Sequence, residues 1–524
     1  MSTDINLGEF IKHMREERGM TQVEFAEELK TSQSAVARME TGEQNLTTSI
    51  LQDISKIFGR KIINPTDSID FQITGGKKLK GNIKTNPSKN GALGLLCAAL
   101  LNDNKTILHN IPLIEEVKRI LEVFESIGVK VKWLDKNSLE IQPPKKYDFK
   151  NLHKDSAAKI RSALMMIGAL VHKVDKFNLP HAGGCKMGNR TIAAHKYALE
   201  ELGVEIETKE EHYQISSKFV TEKMLDRRDK ALGSSARRDN IFSGTNTEII
   251  LYESSDTAAE NALICAALVP GKTVIKFAPP NYQVQDVCFF LENCGVKVEG
   301  IGTTSLTVYG VEKIDKVVEH CNSEDPIESM MFLSAAIVTD SHLTITHCPI
   351  RFLELELYKL KKMGLKYNLS KEYFSKNERT TLVDVEIFPS TLTAPLDKIH
   401  AQPYPGINVD NLPFFVPICA KAEGRTLIND WMWENRAIYY TELNRLGGNV
   451  VLLDPHRVFV YGPTKFKAAQ IVCPPALRPA VIIMIAMLGA EGTSVLRNVY
   501  SINRGYEEIA ERLNSIGAAI KIIS

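Results

Sequence analysis

Ile127-Gly128-Val129-Lys130-Val131 ends a stretch of helical pattern and opens one of strand pattern, and the chain repeats this step five more times. The copies are Leu202-Gly203-Val204-Glu205-Ile206, Cys294-Gly295-Val296-Lys297-Val298, Met363-Gly364-Leu365-Lys366-Tyr367, Leu446-Gly447-Gly448-Asn449-Val450 and Ile516-Gly517-Ala518-Ala519-Ile520. Glycine just past a helix takes the left-handed conformation without a Cβ penalty, and the alternation after it predicts a strand with one buried face. Successive glycines lie between 69 residues (295 to 364) and 92 residues (203 to 295) apart, so the unit is one supersecondary module of nearly constant size. Several units also carry an apolar helix followed by a strand, as in Cys97-Ala-Ala-Leu100 before Lys105-Thr-Ile-Leu108 and Cys265-Ala-Ala-Leu268 before Gly271-Lys-Thr-Val-Ile275. The expectation is an α/β protein in which six βαβ-type units pack helices inward and sheets outward, in two groups of three.

Composition agrees with a large globular protein. A chain of 524 residues exceeds the size of one hydrophobic core, and 44% hydrophobic with 24% charged residues excludes disordered, collagenous and disulfide-scaffold classes. With 64 Lys+Arg against 63 Asp+Glu the whole chain cannot act as a polycation, so nucleic-acid binding would need a local patch. No secretory leader or membrane-length apolar run is read, which predicts a cytoplasmic protein without membrane contact. Of nine cysteines, Cys97, Cys265 and Cys419 sit in apolar runs as buried hydrophobes do, so reduced thiols are expected. There is neither a metal-ligand motif nor a glycine-rich dinucleotide loop, and no cofactor or metal is expected.

The first 62 residues follow a different pattern. Phe10, Ile11 and Met14 make one apolar helical face, Thr21 and Glu24 read as a capping box, and Ser32 caps a third helix that carries Val36 and Met39 inward and ends at Gly42. The stretch from Thr21 through Val36-Ala-Arg-Met-Glu-Thr-Gly42 to Asn45 resembles the helix-turn-helix domain of the phage-repressor (Xre/Cro-like) family. The resemblance implies that Gln22, Gln33, Ser34 and Arg38 face DNA, with the third helix in the major groove. Residues 1–62 hold 8 Lys/Arg against 10 Asp/Glu, a weak electrostatic footprint, so a protein-contact role stays open beside DNA binding. One recognition helix per chain makes a homodimer the arrangement that DNA binding would require. A linker is expected over 63–69, where Ile63-Asn-Pro-Thr-Asp-Ser68 holds turn formers, and the large domain should begin near Asp70.

From about residue 70 onward the six units occur together with Ile73-Thr-Gly-Gly-Lys-Lys-Leu-Lys-Gly81, Lys89-Asn90, Gly183-Gly-Cys-Lys-Met-Gly-Asn-Arg190 and Asn503-Arg-Gly-Tyr-Glu507. In these the chain resembles the enolpyruvyl transferase family, most of all its UDP-N-acetylglucosamine 1-carboxyvinyltransferase branch. The resemblance implies a two-lobed inside-out α/β barrel, with one lobe over 89–322 and the other over 70–88 and 323–524. It also implies transfer of the enolpyruvyl group of phosphoenolpyruvate to a nucleotide sugar, the first step of peptidoglycan precursor synthesis.

Cys185 stands on a polar, glycine-flanked loop beside Lys186 and Arg190, where cations favour the thiolate. A loop cysteine can be incidental; the family frame gives it the part of proton donor or nucleophile toward phosphoenolpyruvate. By resemblance Lys89, Arg190 and Arg504 clamp the phosphate and carboxylate, Arg161 and Arg478 line the same cleft, Asn90 hydrogen-bonds the sugar, Arg436 matches a further family arginine near the cleft, and Met432 is a further substrate-binding candidate. Arg161, Arg190, Arg478 and Arg504 each lie in an apolar or glycine-rich stretch, where a charge needs a partner. Asp410, in Tyr404-Pro-Gly-Ile-Asn-Val-Asp410, matches the family's general base, and could instead or in addition cap the apolar helix that follows. Departures cluster on the nucleotide side: Ala193 replaces an Asp that reads uracil, Glu253-Ser-Ser-Asp-Thr257 turns acids toward a diphosphate, and Ala476 removes a carboxylate next to Arg478. These losses keep a second reading open, a catalytically reduced paralogue that senses a ligand and regulates through its DNA-binding head.

Overall fold

A computed structural model describes residues 7–41, 50, 53–54, 57, 69–183, 191–219 and 246–523. Residues 184–190, with Cys185, Lys186 and Arg190, lie outside them, as do Gly42, residues 63–68 and the side chain of Phe10. The chain divides into two compact units, Met1–Ser68 and Ile69–Ile523.

The first unit holds helices Leu7–Glu17, Gln22–Glu28 and Gln33–Glu40. The capping box forms: the Glu24 N–H donates to Thr21 Oγ1 at 3.2 Å, and the Thr21 N–H donates to the Glu24 carboxylate at 2.7 Å. Ser32 caps the third helix by accepting from the Ala35 N–H at 3.2 Å. Ile11, Met14, Phe25, Ala26, Val36 and Met39 are buried together with Ala35 and Ile54 in one small core. Two side chains of opposite charge are buried with it, since Arg15 is held by Glu40 at 2.5 and 3.0 Å.

In the second unit all six repeat glycines have positive φ, from +80° at Gly203 to +108° at Gly364. Each is followed by a strand that forms an edge of its own sheet: Lys130–Trp133, Glu205–Thr208, Lys297–Glu299, Lys366–Leu369, Asn449–Asp454 and Ile520–Ile523. The six steps therefore found six separate sheets. A complete unit runs strand, helix, strand, helix, strand, strand. In one of them Asn246–Ile250 pairs in parallel with Gly271–Lys276, which pairs antiparallel with Ser305–Gly310, and Lys297–Glu299 closes the edge.

Two units borrow their first strand from a distance. Lys80–Lys84 lies parallel to His342–Pro349, and Val318–Cys321 lies parallel to Thr106–His109. The chain thus leaves one group of three sheets after residue 84 and returns to it after residue 321. The two passages run side by side, where the Ser88 N–H donates to the Ser323 carbonyl at 2.8 Å and the Asp325 N–H to the Asn86 carbonyl at 2.9 Å. Two hydrophobic cores result, one from residues between Ala92 and Val318 and the other from Phe71–Ile83 and Ile327–Ile520 with Tyr282. At their centres lie helices buried on every side: all residues of Pro326–Val338 and Leu477–Leu488 are buried, as are Gly91–Ala99 of helix Lys89–Ala99.

Candidate active site

Polar side chains gather where these central helices begin, so the position of each follows from a helix start. Ser88 caps helix Lys89–Ala99 through the Gly91 N–H at 3.0 Å, which places Lys89 and Asn90 in its first turn. Arg478 stands in the first turn of Leu477–Leu488, whose N-cap, Ala476, makes no side-chain cap bond because alanine has no acceptor to offer. Asp410 precedes the short 3-10 helix Leu412–Phe414. Its expected capping role is not what the structure shows: Asn411 occupies the cap position, and the Asp410 carboxylate turns to arginines instead.

Two groups of charge form. In the first, the Glu116 carboxylate lies 2.5 Å from Lys89 Nζ and 3.6 Å from Arg504 Nε, with the three side chains 13–14% exposed. Burial works against ionisation of Glu116, but Lys89, Arg504 and Arg478 together hold it below the usual carboxylate range. In the second, Arg478 donates to Asp410 at 3.1 Å and to the Tyr506 hydroxyl at 2.6 Å. Arg436, fully buried, grips Asp430 through two bonds at 2.6 and 2.7 Å, donates to the Val409 carbonyl at 2.7 Å, and lies 3.7 Å from Asp410. Burial pushes the Asp410 carboxyl up, yet Arg478, Arg436 and Lys89 outweigh it and keep Asp410 below the ordinary value. Lys89 belongs to the first group and acts on Asp410 in the second, so the two face one cleft.

The remaining residues are less concentrated. Asn90 donates to the Tyr282 hydroxyl at 3.1 Å. Met432 is half-buried against the second core. Arg161 donates to the Thr191 carbonyl at 2.6 Å, and burial lowers its pKa while Tyr213 and the exposed Glu253 counteract. Ala193 begins helix Ala193–Glu200, whose buried His195 is paired with Asn261 at 3.1 Å and Thr257 at 3.3 Å. The departures at 193 and 253–257 therefore share one corner of the protein.

Sequence reasoning missed Glu116, Asp430 and Tyr282, and read Asp256 only as one acid of the 253–257 loop. Glu116 reads there as an ordinary acidic first-turn residue of an amphipathic helix, and nothing in its neighbours announces two cations from distant segments. Asp256 accepts from Asn281 at 2.9 Å, and burial, with Asp410 adding to it, raises its pKa to about 6. In the first unit, Gln33 donates to Gln22 at 2.7 Å and Gln22 to Glu40 at 2.9 Å, while Ser34 and Arg38 are exposed on the same helix. Among the described residues no cluster of His, Cys, Asp or Glu could hold a metal, and no helix is long and apolar enough to cross a membrane.

Comparison with known proteins places this geometry. Residues 73–513 match the family described as EPSP synthase (3-phosphoshikimate 1-carboxyvinyltransferase), and residues 11–63 match the helix-turn-helix family. The UDP-N-acetylglucosamine 1-carboxyvinyltransferase of Treponema denticola is 33% identical over 457 residues, 86% of this chain and 99% of the relative. That of Bradyrhizobium diazoefficiens is 29% identical over 86% of this chain and 98% of its own length. The fold is that of the enolpyruvyl transferase NikO from Streptomyces tendae, with a TM-score of 0.71 and 22% identity over 87% of this chain and 99% of that one. EPSP synthase from Acinetobacter baumannii follows with a TM-score of 0.63 and 17% identity over 87% of this chain and all of the other. A six-sheet architecture, a family match over most of the chain and a relative similar along its whole length make this protein a member of the EPSP synthase family of enolpyruvyl (1-carboxyvinyl) transferases.

Proposed function

We propose that the chain transfers the enolpyruvyl group of phosphoenolpyruvate to the 3-hydroxyl of UDP-N-acetylglucosamine, releasing phosphate. The observation that carries this reading is an ionised carboxylate, Asp410, fixed by Arg478 and Arg436 and electrostatically coupled to the cation group of Lys89 and Arg504. Lys89 and Arg504 are the ammonium and guanidinium groups that suit a phosphate and a carboxylate. Asp410 takes the hydroxyl proton as the sugar oxygen bonds to C2 of phosphoenolpyruvate, while C3 gains a proton from an acid, the part the family resemblance implies for Cys185. Loss of a C3 proton then expels phosphate and restores the double bond. A carboxylate with a depressed pKa is a weak base, so its proton transfer must accompany the attack rather than precede it.

Relatives with this substrate in their names match over nearly their whole length, which supports the acceptor assignment. The decisive measurement is phosphate release by the purified full chain from the two substrates together. Release dependent on both, and abolished by Cys185→Ala, is expected. Release with phosphoenolpyruvate and a different acceptor only would retain the transferase and discard the sugar nucleotide; release with no acceptor tested would favour a sensing role.

For the first unit we infer DNA binding through Gln33, Ser34 and Arg38, with Gln22 holding Gln33. The Gln33–Gln22–Glu40–Arg15 chain of bonds fixes the start of the third helix and supports this reading. A two-headed dimer would read half-sites about 34 Å apart. DNA selection with the full chain should yield a palindrome that Gln33→Ala and Arg38→Ala lose; enrichment of no sequence at low salt would leave a protein-contact domain.

A further inference from the structure

We propose that a pocket between the two lobes, beside helix Tyr282–Asn293, is an effector site for a single-ring aromatic acid, and that its occupancy is read at Asn90 through Tyr282. The pocket has a volume of about 230 Å³ and is walled by Tyr282 on one side and by Arg351, Phe352, Arg379 and Tyr404 on the other. It shares no residue with either charge group of the cleft.

Its lining states the chemistry. Four rings bound it: Phe352 and Tyr404 lie 5.1 Å apart and tilted, Tyr282 meets Phe352 edge-on at 5.7 Å, and Phe289 completes the lining. Rings so arranged leave faces and edges for one more planar ring, and the volume admits one ring with a small substituent. The charged side chains of the wall are two guanidiniums, with no carboxylate among the lining residues. Glu354 and Glu372, which pair with Arg351, and Glu292, which pairs with Arg379 at 3.2 Å, stand outside the wall. Both terminal nitrogens of Arg351 already meet Glu354 and Glu372, whereas Arg379 meets Glu292 through one terminal nitrogen and keeps further N–H groups of the planar fork that suits a carboxylate.

The position of the pocket gives it a consequence. Phe289, Tyr282 and Glu292 belong to the helix of one lobe, whereas Arg379 reaches from the other to pair with Glu292 and lie 5.4 Å from the Phe289 ring. A ligand bridging this wall changes the free energy of one lobe against the other. Tyr282 is 2% exposed and its hydroxyl accepts from Asn90 Nδ2, so a ring that shifts Tyr282 shifts the Asn90 amide. Tyr282 is in this sense a positioning residue. The effect on the acceptor rests on the function proposed above; binding in the pocket does not.

The test is calorimetric titration of the full chain with 4-hydroxybenzoate and with the uncharged 4-hydroxybenzyl alcohol. Saturable binding of the acid is expected, with both the alcohol and the Arg379→Ala variant weaker by about tenfold, the loss of one charge-assisted contact. Glu292→Gln separates this from the loss of the interlobe ion pair: it breaks the same pair but frees Arg379, so it should bind the acid as well as or better than the parent chain. Saturating acid should change the affinity for UDP-N-acetylglucosamine, the sugar nucleotide should change the affinity for the acid by the same factor, and Tyr282→Phe should abolish the coupling while leaving acid binding within about twofold. Absence of saturation, equal binding by Arg379→Ala, or displacement of the acid by phosphoenolpyruvate overturns the site. Coupling unchanged in Tyr282→Phe overturns the relay. Failure of UDP-N-acetylglucosamine to bind at all would count against the acceptor assignment, and the acid titration would still decide the pocket.

Discussion

The two charge groups of the cleft are built from the same residue types and differ in balance. Lys89 and Arg504 share one carboxylate, Glu116, at 2.5 and 3.6 Å. Arg436 and Arg478 meet two carboxylates, Asp410 and Asp430, and two tyrosine hydroxyls complete the network: Tyr506 accepts from Arg478, and Tyr440 donates to Asp430. The first group brings two cations, from segments remote in sequence, to Glu116. The second is saturated, and its arginines hold Asp410 ionised and in place. Arginines that look alike in sequence thus differ in the partners that hold them.

The sharpest way to break this comparison is Arg436→Met. Removing the cation strands buried Asp430, so stability should fall by about 3–5 kcal/mol, whereas Arg504→Ala should lose clearly less, because Lys89 stays 2.5 Å from Glu116. Denaturant unfolding of both variants decides it, and comparable losses would erase the distinction. Next, Asp410→Asn should lower kcat by about 10²–10⁴-fold while phosphoenolpyruvate binding changes little, because shape is kept and proton acceptance is lost. An unchanged kcat would take Asp410 out of that role. Arg504→Ala should raise the KM for phosphoenolpyruvate by about 10–100-fold, the worth of a charge-assisted contact; a fall in kcat alone would move Arg504 from clamp to chemistry.

The smallest effect concerns Asp256, which lacks a cationic partner in any described contact. Its pKa in the folded protein is raised to about 6, above the ordinary ~3.9 of the unfolded chain, so the folded state is penalised once pH passes the unfolded value, and fully so above 6. Asp256→Asn should therefore raise the melting temperature at pH 8 and leave it nearly unchanged at pH 4. Equal effects at both pH values would show that Asp256 acts through packing.

Much of the fold could be read from single positions. Glycines 128, 203, 295, 364, 447 and 517 all adopt the left-handed conformation expected of them and each introduces an edge strand, because both features depend on a few adjacent residues. Thr21, Glu24 and Ser32 cap as their spacing demands for the same reason. The exchange of strands between units was not readable, since Lys80–Lys84 pairs with a strand more than 250 residues away and the alternation of either strand is satisfied by many partners. Nor was the choice at Asp410, where a local cap competed with arginines 26 and 68 positions further along.

By itself, then, the sequence determined the repeated module, the capped helices of the head, the family resemblance and the residue types of the cleft, all carried by local stereochemistry and short motifs. Only the tertiary structure decided that Glu116 joins Lys89 to Arg504, that Asp430 neutralises Arg436, and that Tyr282 ties Asn90 to the wall of a pocket. Coulomb and hydrogen-bond energies depend on distances of a few ångströms between side chains, and those distances exist only once segments remote in sequence pack around the same cores.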